Sequence, residues 1–381
     1  MPRAYNQFRF SRQAHHLGTD MQPTLWQRVH LDPWLLMLLF VTALLGMAIL
    51  YSASTQDMSM VVRQLISFII GFVVMLAMAQ VPPSMYRSFT PFFYLGGLVL
   101  LVLVKLIGEV RLGAQRWIDI PGFGSVQPSE FMKLGMPMLC AWLLSRRELP
   151  PSLPTVLITL VAIGIPVLLI AEQPDLGTSI LVASSGIFVL FLAGLPWWMI
   201  GTAAALFVPL VWIAWEFLLH DYQRKRVMTL LDPEADALGA GWNIMQSKTA
   251  IGAGGMTGKG YLEGTQSHLH FLPEGHTDFI IAAFSEEFGL VGVCLLMFLY
   301  ACILARTLHI AYHTTSTYGR LLAGALALAF FVYVFVNAGM VSGILPVVGV
   351  PLPFISYGGT AIITLMAAFG LVMSVASHQV K

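Results

Sequence analysis

The chain has 381 residues, 57% of them hydrophobic and only 10% charged, with a formal net charge of +1. Together with a mean hydropathy of +0.79, this leaves too little polar surface to cover a soluble globule and points to an integral membrane protein. The net charge says nothing about nucleic acid, but no basic run interleaved with aromatics occurs, and that class is set aside.

Residues 1–30 form a polar arm ahead of the first apolar run, 34–51. That run is longer than a signal-peptide core of about 7–15 residues, so it reads as a retained span although Ser52-Ala53-Ser54 offers a small-residue site. Runs of the ~20 residues needed to cross a hydrocarbon core follow near 61–80, 90–107, 129–145, 155–171, 175–194 and 196–217. After a polar stretch at about 218–277 come three more, near 278–305, 320–343 and 356–377. The fold class is all-α, a polytopic membrane protein of about ten transmembrane helices; barrel strands would alternate with a period of two. The spans make one transmembrane domain, 31–377, between the arm and a short tail, 378–381.

Orientation follows from the basic residues of the short loops. With the N-terminus cytoplasmic, the inner segments carry Arg3, Arg9, Arg12, Arg28, Arg87, Arg146, Arg147, Arg306, Arg320 and Lys381. The outer loops carry mainly Lys105, Arg111 and Arg116. An even number of spans returns the C-terminus to the cytoplasm and puts 218–277 outside. Cys140, Cys294 and Cys302 fall inside spans, where they act as small hydrophobes and indicate neither disulfides nor a thiolate zinc site.

Ionisable residues in or beside spans are costly in lipid and mark candidate function. The fourth span opens Gln127-Pro128-Ser129-Glu130, a proline suited to a first turn, with Lys133 three residues beyond Glu130 on the same face. The sixth opens Gln173-Pro174-Asp175-Leu-Gly177-Thr178, and the eighth opens Thr277-Asp278. Glu130, Lys133, Asp175 and Asp278 therefore map to outer helix ends. Each also has a structural role open to it: first-turn acids complement the helix dipole and cap N–H groups, and Glu130 with Lys133 makes a self-neutralising pair. Glu286 and Glu287, deeper in the eighth span, are assigned only to interior packing or a polar cavity.

The outer segment is punctuated by Gly239, Gly241, Gly252, Gly254, Gly255, Gly258, Gly260 and Gly264. A Walker loop would need glycine at Ala253 and Ser or Thr at Gly260, and no strand precedes it as a Rossmann fingerprint requires, so both nucleotide motifs are rejected. His268 and His270 lack a ligand set for a metal. The run Gly343 to Gly359, with Pro346, Pro351 and Pro353, cannot be a plain helix; it either lines the outer cavity or simply breaks the helix.

Taken together, Gln127-Pro-Ser-Glu130, Gln173-Pro-Asp-Leu-Gly-Thr178, Gly241-Trp-Asn-Ile-Met-Gln-Ser-Lys248, Gly264-Thr-Gln-Ser267, His276-Thr-Asp278 and Pro351-Leu-Pro-Phe-Ile-Ser-Tyr-Gly-Gly359 resemble the SEDS family (shape, elongation, division and sporulation) over about residues 30–377. The likeness is nearer to its rod-shape branch than to its division branch. It implies a peptidoglycan glycosyltransferase of the inner membrane that polymerises lipid II into glycan strands during elongation, inverting the anomeric centre. The family's essential acid maps to Asp278, which would take the proton of the acceptor hydroxyl. Positive charge for the leaving diphosphate would come from Arg116, Lys133, Arg224 or Arg226, or from a divalent cation, Mg or Mn; no metal ligands are assigned. Glu130 would tune Lys133 and Asp175 would order the cavity, with Gln246, Ser247, Thr265, Ser267 and Ser356 as further substrate-binding candidates in the matching motifs. The implied partners are a class B penicillin-binding protein and other elongation-complex proteins. A lipid II transporter and a wall-synthesis scaffold are the competing readings; alternating access favours a midplane site, and a scaffold leaves the acid cluster without a task.

Overall fold

Asp32 starts the first membrane helix, α1 (Pro33–Ala53): its carboxylate accepts the Leu35 N–H at 2.8 Å, and Pro33 stands where a missing N–H costs nothing. The same local chemistry recurs. Asp57 caps α2 (Met58–Gln80) through the Ser59 N–H, and Pro83 opens α3 (Pro83–Ile107). The computed structural model describes residues 29–111, 114–120, 124–219, 221–236, 239–265 and 274–378. The N-terminal arm with Arg3, Arg9, Arg12 and Arg28, as well as Ser267, His268, His270 and Lys381, lies outside the described residues.

Between α3 and the fourth span the chain makes a small sheet that hydropathy does not announce. Strands β1 (Glu109–Arg111), β2 (Ala114–Ile120) and β3 (Gly124–Val126) pair antiparallel in the order β1-β2-β3, with Trp117 opposite Glu109 and Ile118 opposite Val126. The sheet delivers the chain to α4 (Pro128–Leu144), which is followed by α5 (Leu153–Glu172), α6 (Leu176–Leu192) and α7 (Trp197–Ile213). A π-turn, Ala214–Leu218, ends α7 and leads into α8 (Asp221–Leu231) and α9 (Ala240–Gly254), so the polar stretch after the seventh span is itself partly helical. The last three membrane helices are α10 (Ile280–His313), α11 (Thr317–Val341) and α12 (Gly359–Ser377).

Among the described residues eight helices, α7 being counted with its π-turn as Trp197–Phe217, have 18 or more residues and the apolar composition to cross a membrane. The remaining two of the ten expected spans, α4 and α6, have 17 residues each. Helix α4 lies inside the bundle, where it packs against protein and is freed from matching the lipid thickness, while α6 buries one face and leaves Ile187 and Phe191 exposed. Met132 and Met136 of α4, Met340 of α11 and Met373 of α12 are wholly buried and mark the centre of the core. By contrast α7 has no buried residue, as expected of a helix that is apolar all round and faces lipid.

Helix α10 is interrupted at Gly289, whose φ of 62° and ψ of −165° lie outside helical space. The break orphans backbone groups in the interior, and the glycine-rich stretch after α9 satisfies them. Carbonyls of Glu286 and Glu287 accept the N–H groups of Lys259 and Gly260, both at 3.0 Å, while Leu290 and Val291 donate to the carbonyls of Gly255 and Met256. Such close backbone approach explains the glycines: a Cβ on Gly258, where φ is +80°, would stand 2.0 Å from the Glu287 carbonyl oxygen. Glu286 then receives Lys259 Nζ at 2.6 Å and the Thr265 N–H at 2.9 Å, and Glu287 accepts the Ser52 hydroxyl. These bonds account for both deep acids as neutralised or satisfied interior groups.

Gly258→Ala should therefore destabilise the solubilised protein by about 1–3 kcal/mol, read as a fall in thermal midpoint, whereas Gly252→Ala, with open space around it, should not. Equal midpoints for the two variants would show that the loop does not depend on its seat in the helix break.

Candidate active site

Helix α10 begins at Ile280, two residues later than hydropathy suggests, so Asp278 stands outside the span in the turn 274–279. That turn is pinned by three successive carbonyls. His276 O accepts the Tyr357 N–H at 3.0 Å, Thr277 O accepts the Ser356 hydroxyl at 2.6 Å, and Asp278 O accepts Asn337 Nδ2 at 2.8 Å. Asn337 bridges onward to Val350 O at 2.8 Å. The proline-rich run that supplies these groups is held in turn by polar side chains from the spans: Gln64 of α2 donates to Ser356 O at 2.9 Å, and Tyr300 of α10 donates to Pro353 O at 2.7 Å. Irregular backbone among packed helices is thereby satisfied by protein.

The 348–350 stretch also touches the start of α6. A Cβ on Gly177 would lie 2.7 Å from Val348 O, and one on Gly349 would lie 3.4 Å from Asp278 Oδ2. Asp175 caps α6 by accepting the Thr178 N–H at 3.1 Å, and its other oxygen accepts Gln127 Nε2 at 2.9 Å, which ties α6 to α4. Arg116, projecting from β2, donates Nε to Gln173 O at 3.1 Å and Nη2 to Pro174 O, with Nη1 4.0 Å from Asp175. One turn into α4, Lys133 Nζ salt-bridges Glu130 Oε1 and sits 5.3 Å from the Tyr333 ring centroid. Lys133 and Tyr333 line a cavity of about 30 Å³ that runs inward between α4, α6, α11 and α12.

Asp278 differs from these acids in having, among the described residues, no cation within 4.0 Å. Burial raises its pKa from 3.8 to about 6, and the carboxylates of Glu274 and Asp175 push the same way, while Arg226 pulls it down. The carboxylate is thus of near-neutral strength, with Arg226 as the positive charge that lowers it.

The remaining candidates divide by location. Ser356 anchors the turn that carries Asp278 and acts through backbone. Ser247 is wholly buried, donating to Ile244 O and Val341 O at 2.9 Å each, and Thr265 is engaged by Glu286. Gln246 is half-buried on α9, and Arg224 donates to Glu216 O at 2.9 Å, back toward the π-turn. The structure therefore gathers Arg116, Glu130, Lys133, Asp175, Arg226 and Asp278 about the helix starts, and gives Ser247, Thr265 and Arg224 packing partners elsewhere. Among the described residues no group of three His, Cys, Asp or Glu side chains gathers as a metal site.

A family model of cell cycle proteins, named for FtsW, RodA and SpoVE, matches residues 32–381. The chain belongs to this SEDS family. It is 54% identical over 356 residues to the peptidoglycan glycosyltransferase MrdB of Escherichia coli K12, covering 93% of this chain and 96% of that one. Among solved structures it resembles a chain of a peptidoglycan synthase complex that coordinates polymerization and crosslinking, with a TM-score of 0.78, 30% identity, and coverage of 91% and 98%. It likewise resembles the rod shape determining protein RodA of Thermus thermophilus, with a TM-score of 0.70, 27% identity, and coverage of 92% and 98%.

Within this SEDS chain, sequence reasoning missed Asn337, Tyr333, Gln127 as a side chain, and Glu274. A signal existed for the first: an asparagine in an otherwise apolar span is expensive unless it is bonded. Glu274 carries no such mark, because an acid in a polar loop is ordinary.

The Glu130–Lys133 pair is testable by a double-mutant cycle. Lys133→Met alone should cost about 3–5 kcal/mol of stability by stranding a buried carboxylate, and adding Glu130→Gln should restore most of it. If the double variant regains its thermal midpoint but not its activity, the lysine serves chemistry as well as packing.

Proposed function

We propose that this chain is the polymerase its family membership suggests: a peptidoglycan glycosyltransferase that joins lipid II units into glycan strands for elongation and rod shape. The observation that carries the reading is Asp278, a largely buried carboxylate of near-neutral strength, on a turn pinned by three backbone bonds, with no neutralising cation among the described residues. An acceptor sugar hydroxyl is a poor nucleophile. Within hydrogen-bond reach, Asp278 takes its proton while the oxygen bonds to the donor's anomeric carbon and the bond to the diphosphate breaks. One displacement of this kind inverts the centre, turning an α-linked diphosphate into a β-linked glycan.

The leaving diphosphate needs positive charge close to Asp278, and Arg226 fits that task best because its field already reaches the carboxylate. Arg116 spends its donors on the carbonyls that start α6, and Lys133 is held by Glu130. These two shape the floor and field of the site. Asp175 works as the strut between α4 and α6.

The same reading extends to placement. Arg87, Arg146, Arg306 and Arg320 sit at the ends of α3, α4, α10 and α11 remote from Asp278, and the positive-inside rule then puts the site on the outer face of the bacterial inner membrane with both termini cytoplasmic. Residues 31–377 would be the membrane domain and 218–277 its extracytoplasmic segment. The resemblance to a chain from a complex that coordinates polymerization and crosslinking supports a class B penicillin-binding protein as partner.

Purified protein supplied with labelled lipid II should form glycan polymer, and Asp278→Asn should abolish it while keeping the wild-type thermal midpoint. Lipid II flipping without polymer would favour a transporter instead, and a variant that still polymerises would remove Asp278 from the base role.

The pH profile gives a separate check. A base must be unprotonated to act, so activity should rise through about pH 6 and level off above it. Glu274→Gln removes a neighbouring negative charge and should move this limb to lower pH, whereas Arg226→Gln should move it higher. A limb unmoved by either change would mean that another group is titrating.

A further inference from the structure

At the end of the bundle opposite Asp278, the start of α3, the end of α4, the α10–α11 turn and the end of α12 enclose a cavity of about 960 Å³. Its wall carries Arg87, Arg146, His378 and seven serines and threonines, and no Asp or Glu. Among the described residues neither arginine forms a salt bridge. Arg146 lies over the Trp142 ring, 4.1 Å from its centroid, and Arg87 is half-buried beside Tyr318, which is 3% exposed.

Arg146 is exposed, but a half-buried guanidinium such as that of Arg87, with no counter-charge among the described residues, is costly until an anion reaches it. Phosphate is the anion that its forked donors match best, and the hydroxyl-rich wall offers further donors of the right kind. The surroundings also indicate what carries the phosphate. On α3, Ser84, Arg87 and Ser88 line the cavity, and the neighbouring stripe at helical spacing, Met85, Phe89 and Phe92, is 50%, 58% and 72% exposed. A charged cavity bordered by an exposed apolar stripe fits a molecule with an anionic head and an apolar tail.

We infer that this cavity holds the phosphate of an anionic phospholipid headgroup, between Arg87 and Arg146, with an acyl chain along the Met85, Phe89 and Phe92 stripe of α3. The site is separate from the Asp278 cluster and does not depend on the activity proposed above. Its ligand comes from the membrane leaflet on that side, and occupancy braces the ends of α3, α4, α11 and α12 together.

Native mass spectrometry of the full chain in detergent, titrated with phosphatidylglycerol or phosphatidylcholine, tests this. Wild type should retain phosphatidylglycerol preferentially, and Arg87→Gln with Arg146→Gln should weaken that retention by roughly tenfold or more while phosphatidylcholine retention and lipid II polymerisation stay unchanged. Thr317→Glu, which sets a carboxylate in the cavity, should act in the same direction and decides the matter if the double variant does not fold. Undiminished phosphatidylglycerol retention in whichever of these variants folds would overturn the site, and inorganic phosphate bound as tightly as the lipid would overturn the lipid as its ligand.

Discussion

Three consecutive backbone carbonyls, at His276, Thr277 and Asp278, hold the rest of this structure to its purpose. A turn between an aqueous segment and a membrane helix would ordinarily be a mobile place for a carboxylate. Here the carbonyls accept bonds from Asn337 of α11 and from Ser356 and Tyr357, and the stretch that carries the last two is irregular backbone that Gln64, Tyr300 and Asn337 hold from three different spans. The position of one side chain is thus coupled to four elements that are distant in sequence. An unsatisfied peptide group in the bundle interior costs more than any one of these bonds contributes, so the network forms as a unit.

The same economy of charge runs through the interior. Glu286 is met by Lys259, Glu287 by Ser52, Glu130 by Lys133, and Asp175 by Gln127, the Thr178 N–H and the more distant Arg116. Each acid is matched within its own neighbourhood, which makes it inert and structural. Asp278 is the exception. Among the described residues no cation lies within 4.0 Å of it, and burial together with the carboxylates of Glu274 and Asp175 raises its proton affinity, a contrast with its neighbours that distinguishes it.

Much of the fold was legible because lipid imposes a length and a polarity that hydropathy reads directly. The ten apolar runs, the proline start of α4, and Asp175 at the head of α6 all follow from single-segment rules. The sheet at 109–126 was not legible, since three short strands between glycines carry too little alternation to stand out. Nor was the break in α10 visible: Phe284 to Val293 carries two acids but no proline and reads as continuous helix, and Gly289 departs from it only because a loop some thirty residues earlier supplies its hydrogen bonds. For the site, the motifs pointed to the acids at the helix starts together with Ser247 and Thr265, whose packing partners no motif announces. A hydroxyl's partner depends on what packs beside it, and those two face a carbonyl of α11 and a carboxylate of α10.

The sequence by itself determined that the chain lives in a membrane, where its apolar helices run, and which ionisable residues sit at or beside helix ends. These follow from the free energy of placing each segment in lipid or water, a property of that segment alone. Which acids are neutralised, and which one has no close cation among the described residues, was decided only by tertiary structure. Whether a carboxylate meets a lysine, an amide or another carboxylate depends on side chains brought together from separate helices, and burial then sets its strength through distances that no local pattern contains.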